Sequence, residues 1–153
     1  MNRAETKAAS ERQAFRQFAA LMEESDVWLS VESRDPPEPD LLCTHQTRGQ
    51  VAFELVAITD PLIAKVNAGF GTSETGSYRT SDPTERIIRK KLGRHYETEN
   101  PIELLVYNDL LVITPDDQIV EVVNRWLGSK KHRFIHAWFM GEFHARRIWS
   151  APQ

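Results

Sequence analysis

The stretch from residue 36 to 58 reads PPEPDLLCTHQTRGQVAFELVAI. It holds two apolar runs, Asp40–Thr44 and Gln50–Ile58, separated by the polar segment HQTRG (45–49). Runs of this length, one short and one fully apolar, predict two antiparallel strands joined by a hairpin. The second run is apolar on both of its alternating faces. A strand of that kind sits at the centre of a sheet covered on both sides. A single carboxylate, Glu54, interrupts it. If HQTRG forms an odd-membered loop centred on Thr47, paired residue numbers sum to 94 and Asp40 stands opposite Glu54. Opposed Cβ atoms lie about 5 Å apart. Two carboxylates so placed repel, and burial makes each charge costlier. A shared divalent cation such as Mg²⁺ or Mn²⁺ would relieve both effects, since one or two carboxylates suffice to hold Mg²⁺. Three alternatives stand beside this reading. Asp after Pro is a common turn residue, a strand glutamate can pair with an arginine, and a four-residue loop would put the acids on opposite faces.

Working outward, the segment before the hairpin has Ala14, Phe15, Phe18, Leu21 and Met22 at helical spacing, which predicts a helix running to about Ser25. DVWLSV (26–31) reads as a strand, and the three prolines of SRDPPEPD (33–40) block a helix there. After the hairpin, TDP (59–61) reads as the start of a short helix to about Val66. NAGFGTSETGSYRTS (67–81) is expected to be a long flexible loop, flanked by Lys65 and Arg79. DPTERIIRKKLGRHYE (82–97) predicts a helix over 83–96, with Asp82 capping, Pro83 at the first helical position and Glu85 in the first turn. IELLVYN (102–108) is a strand and LLVIT (110–114) its extension. PDDQIVEVVNRWLGSKK (115–131) is a helix striped by Ile119, Val122, Val123 and Trp126. RFIHAWFMGEFHARRIW (133–149) forms two strands around a turn at Met140-Gly141, which would pair His136 with Ala145. Alternating strands and helices in this order make an α/β fold of two or three layers with a mixed central sheet.

Composition bounds the rest. The chain has 153 residues, 41% hydrophobic and 27% charged, as expected for a single globular domain over 1–153. No apolar run approaches the roughly 20 residues that span a bilayer. The first residues, MNRAETKAASERQ, lack the apolar core of a signal peptide. With Cys43 as the one cysteine, no intrachain disulfide forms, and a cytoplasmic location without a membrane partner is expected. The net charge is −3, but it is uneven. Residues 1–60 carry 6 Lys/Arg against 11 Asp/Glu, whereas basic residues concentrate in RIIRKKLGR (86–94), KKHR (130–133) and ARR (145–147). Such patches either bind phosphates or are solvated faces. The histidines form no zinc pattern, and the nucleotide-loop and nucleophile-elbow signatures are missing. Cys43 and the tryptophans Trp28, Trp138 and Trp149 read as core.

The helix, the strand, a Pro-Asp opening a hairpin and an acidic residue inside the next strand resemble the PD-(D/E)XK nuclease superfamily, which has the restriction-endonuclease-like fold. PEPDLLC…VAFELV carries the resemblance, and residues from about 10 to 113 follow the α-β-β-β-α-β order of its core, here followed by a helix and a strand hairpin. The closing F…WF…W strands resemble small bacterial members. The resemblance implies metal-dependent hydrolysis of phosphodiester bonds in nucleic acid, with DNA as the expected substrate, Mg²⁺ or Mn²⁺ as cofactor, and a homodimer if both strands are cut. It places Asp40 and Glu54 as the metal-binding acids and the backbone carbonyl of Leu55 as a further ligand. The motif lysine is absent: Val56 stands in its position. Some members take that lysine from a neighbouring helix. On the 83–96 helix, Ile88, Leu92 and Tyr96 define the buried stripe, and Lys91 and His95 fall at its edge with Ile87. Arg86, Arg89, Lys90 and Arg94 point away. Lys91 is therefore the substitute candidate, or else a snorkelling lysine covering apolar surface. Many members place a glutamate on the first helix. Glu11 shares the stripe of Phe15, Phe18 and Met22, and is either that ligand or a solvated residue. Arg86, Arg89, Lys90 and Arg94 would contact phosphates, positioning a nucleic acid rather than reading its sequence. With Val56 in place of lysine, a catalytically inactive relative binding nucleic acid or protein is the alternative, as is a metal-free protein-interaction module.

Overall fold

The computed structural model of the chain describes residues 2–59, 83–109 and 114–152. The expected helix at 61–66, the loop at 67–81 with Lys65 and Arg79, the Asp82 cap and most of the 110–114 strand lie outside the described residues. The described chain forms α1 (Arg3–Leu21), β1 (Trp28–Ser33), β2 (Leu41–His45), β3 (Gly49–Ile58), α2 (Thr84–Leu92), β4 (Ile102–Asn108), α3 (Asp116–Ser129), β5 (Phe134–Met140) and β6 (Ala145–Ser150). No helix among the described residues is long and apolar enough to cross a membrane.

The six strands make one sheet in the order β1-β2-β3-β4-β5-β6. β1, β2 and β3 run antiparallel, β4 runs parallel to β3, β5 runs parallel to β4, and β6 returns antiparallel. The protein is thus α/β with a mixed sheet. Side-chain alternation along β3 sorts the core. Val51, Phe53 and Leu55 face α1, whose Phe15 and Phe18 pack on Phe53 at ring-centroid distances of 4.9 and 6.3 Å. Ala52, Val56 and Ile58 face the opposite way and pack with Ile88 and Leu92 of α2 and Ile119, Val123 and Leu127 of α3. Both parallel connections advance in one direction across the sheet, so a common crossover hand puts α2 and α3 on the same face. Burying each large apolar side chain contributes about 1.5–3 kcal/mol, which makes this three-layer packing the main support of the site.

The hairpin has the odd-membered register. Leu41 pairs with Phe53, Thr44 with Gln50 and His45 with Gly49. Its loop is three residues, shorter than HQTRG, because β2 extends to His45 and β3 begins at Gly49. Gly49 has φ of 77°, the left-handed value that three-residue hairpin loops require. His45 Nδ1 accepts the backbone N–H groups of Thr47 and Arg48, both at 3.2 Å.

Three expectations are corrected. α1 stops at Leu21 rather than Ser25, since Glu23 adopts φ of 60° and turns the chain out of the helix. α2 begins one residue later than predicted, at Thr84 after a Pro83 cap, and ends at Leu92 with Gly93, not at residue 96. Glycine is a poor helix former, and the following residues are held elsewhere: Glu97 N–H donates to the Pro37 carbonyl, and the Arg133 guanidinium donates to the Tyr96 and Thr98 carbonyls. The last hairpin turns through Gly141–His144, with Gly141 N–H donating to the His144 carbonyl at 2.8 Å. Met140 therefore pairs with Ala145, and His136 with Ser150 instead of Ala145.

Candidate functional site

Glu54 shares its face of β3 with Ala52 and Val56, so it points toward α2 and α3, into the larger of the two cores. It is buried among apolar side chains yet surrounded by donors. Asp40 lies immediately before β2, opposite it in the register. The two acids are laced through each other's backbone. Asp40 N–H donates to Glu54 Oε1 at 3.0 Å, and Leu55 N–H donates to Asp40 Oδ2 at 2.9 Å.

The other carboxylate oxygen of Glu54 collects three donors. Lys91 Nζ donates at 2.8 Å, the Tyr96 hydroxyl at 3.0 Å and Arg94 Nη1 at 3.5 Å. Burial pushes the Glu54 carboxyl above its ordinary range, and the neighbouring charge of Asp40 pushes it further; Lys91 and the Asp40 N–H pull against them. Burial and the Glu54 charge likewise push the Tyr96 phenol up, which keeps it a neutral donor. The site is therefore a pair of adjacent acids whose mutual repulsion is offset on one side by an ammonium group.

The sequence-predicted residues distribute as follows. Asp40, Glu54 and Lys91 come together, with Leu55 providing the backbone between them. Lys91 is the inward basic residue of α2, as its helical position requires. Arg94 does not point away. The helix ends two residues before it, and the chain's change of direction turns its guanidinium toward Glu54. Arg86, Arg89 and Lys90 are exposed on α2, where Arg89 lies 3.9 Å from Glu85 and over the Trp126 ring. Glu11 pairs with Lys7 at 3.7 Å and lines a 280 Å³ cavity with Leu55, Val56, Lys91 and Tyr107. It does not join Asp40 and Glu54 in a three-residue cluster; among the described residues no group of three His, Cys, Asp or Glu is gathered to hold a metal ion. Cys43 is fully buried, and burial pushes its thiol up.

Two features escaped the sequence reading. In the sequence Tyr96 reads as core, although a buried tyrosine hydroxyl seeks a partner and Glu54 is the available acceptor. Glu103 was not singled out, yet it is as isolated within IELLVYN as Glu54 is within its strand. It is fully buried and bonded to Arg48 and, at 2.8 Å, to Trp138 Nε1. It precedes Leu104 on β4 and so faces α1, away from the Asp40–Glu54 pair.

A 410 Å³ cavity lined by Lys7, Pro37, Asp40, Glu54, Arg94 and His95 among others gives access to the two acids. No protein-family model, curated protein or solved structure matches this chain.

Proposed function

We propose that the chain is a divalent-metal-dependent phosphodiester hydrolase of the PD-(D/E)XK type, acting on nucleic acid with DNA as the expected substrate. The observation that carries the reading is Lys91 Nζ at 2.8 Å from Glu54 Oε2, with Asp40 on the other side of the same carboxylate. Val56 leaves the motif without its lysine, and α2 delivers an ammonium group to the same acid. The element order α-β-β-β-α-β supports the reading too: three antiparallel strands are followed by a fourth parallel to the third.

The donor set suits Mg²⁺ or Mn²⁺. Two carboxylates and the Leu55 carbonyl are hard oxygen ligands, and the repulsion between the acids is what a divalent ion relieves. Bound there, the ion would supply a water of lowered pKa and charge stabilisation at the phosphate. The chain's own groups do the rest. Asp40 and Glu54 present negative oxygens at fixed spacing. Tyr96 holds the Glu54 carboxylate in place through its hydroxyl. Lys91, on a flexible stem, exchanges Glu54 for a non-bridging phosphate oxygen and stabilises the charge that builds up there as the P–O bond breaks.

The test is thermal unfolding with and without Mn²⁺. Binding to the native state alone stabilises by about 2.7 kcal/mol at a hundredfold excess over Kd. The parent midpoint should rise, and that of Glu54→Gln should not. No shift in the parent, or an equal shift in the variant, ends the metal assignment. Plasmid cleavage by the parent, lost in Lys91→Ala, completes the test. A second reading is favoured by the donors already saturating Glu54: a catalytically inactive module that binds nucleic acid without cutting it. Oligonucleotide binding with no cleavage in Mn²⁺ would select it.

A further inference from the structure

Two basic segments far apart in sequence meet in a second cavity. Arg94, His95 and Tyr96 form one wall, and Lys131, Arg133 and Phe134 contribute the other, around 300 Å³. Among the described residues its lining contains no acidic side chain. The three guanidinium and ammonium groups differ in how they are held. Arg133 donates to two neutral carbonyls, those of Tyr96 at 2.8 Å and Thr98 at 2.9 Å, so its orientation is set, and among the described residues no carboxylate pairs with it. Lys131 is exposed and forms no ion pair among the described residues. Arg94 reaches Glu54 only at 3.5 Å, with its side chain 44% exposed. His132 is tied into the backbone by both ring nitrogens, through Leu127 and Phe134, which fixes the floor of the cavity.

Arg94, His95 and Tyr96 also line the cavity above Asp40 and Glu54. The segment 94–96 is thus a shared wall between an acidic and a basic compartment. We propose that the basic compartment binds a backbone phosphate of the same nucleic-acid strand whose neighbouring phosphodiester lies over the acidic pair, with Lys131 and Arg133 as its contacts. The inference rests on the nucleic-acid reading of the site but not on hydrolysis. A preformed cavity walled by basic side chains with an oriented guanidinium fits a phosphate, and its common wall with the acidic cavity fits a chain of them. It moves the expected contact surface from the exposed face of α2, Arg86, Arg89 and Lys90, to the junction of α2 with β5.

The experiment measures binding of a fluorescein-labelled single-stranded oligodeoxynucleotide in EDTA, across a salt series, to the parent, Lys131→Ala and Arg146→Ala. Lys131 is exposed, so its removal leaves folding intact. Arg146 pairs with Phe139 near the far end of β5 and removes the same charge away from the cavity. Lys131→Ala should weaken binding about fivefold and flatten the slope of log K against log salt by about 0.7, one contact on a single strand. Arg146→Ala should match the parent. No binding by the parent, parent-like binding and slope in Lys131→Ala, or equal weakening in Arg146→Ala would overturn the proposal. Binding that follows the expected pattern without cleavage in Mn²⁺ leaves it standing and removes only the hydrolase reading.

Discussion

Lys91→Met keeps the apolar stem of the lysine and deletes its charge. Glu54 then remains in a pocket where its side chain is 2% exposed, with Lys91 itself only 14% exposed. Removing one partner of a buried ion pair typically costs about 3–5 kcal/mol. Here the Tyr96 hydroxyl, the Asp40 N–H and the more distant Arg94 remain, so about 2–3 kcal/mol is expected at pH 7. The pH dependence identifies the cause. The Glu54 carboxyl is raised in the folded state, by burial first and by Asp40 second, from an unfolded value of 4.5. The native state therefore binds the proton more tightly, and stability is lost as pH rises from 4.5 through the raised folded value. Lys91 opposes that rise, so the variant's folded value is higher still and its loss continues to higher pH. The gap between parent and variant should be under about 1 kcal/mol at about pH 3.5, below the unfolded value, where Glu54 is protonated in the folded and unfolded chains alike, and should be larger at pH 7. Urea unfolding followed by tryptophan fluorescence reads this directly. With a slope near 2 kcal/mol per molar, the midpoint falls by about 1 M at pH 7. Adding Glu54→Gln to the variant should restore most of the loss, because the uncompensated charge is gone. An equal loss at both pH values would refute the argument and reduce Lys91 to a stem covering apolar surface.

Tyr96→Phe removes a neutral donor from Glu54 Oε2 and should cost about 1–2 kcal/mol in the same unfolding experiment, less than Lys91→Met. Arg48→Met leaves the buried Glu103 with Trp138 Nε1 as its remaining donor among the described residues and should cost about 3 kcal/mol. Because Glu103 faces α1, that variant should retain the full Mn²⁺-dependent rise in midpoint; a lost rise would place Glu103 in the metal site.

Much of the fold was written in local pattern. Period-two and period-3.6 spacing located every described strand and helix, and the apolar run at Gln50–Ile58 marked the strand that became central. The Asp40–Glu54 register followed from the loop's parity, and Lys91's inward position from simple helical rotation. What failed were the ends. The apolar stripe carries the expected helix through Gly93 to residue 96, but Arg133 and the Pro37 carbonyl, both remote in sequence, hold the residues after Gly93 in an extended path. That altered path turned Arg94 inward.

The sequence alone determined which residues alternate inward and, once the loop is odd-membered, which acids oppose each other, because those relations are set by bond geometry over a few residues; the loop's parity itself was decided by the folded hairpin. It could not supply the partners of Glu54 beyond its own hairpin, nor the basic cavity between residues 94–96 and 131–134. Both depend on where α2 and β5 land across the sheet, and that placement minimises exposed apolar area over the whole chain rather than within any segment. Only the folded core brings an ammonium group to an acid 37 positions away, where the burial that raises the carboxyl also makes their attraction strong.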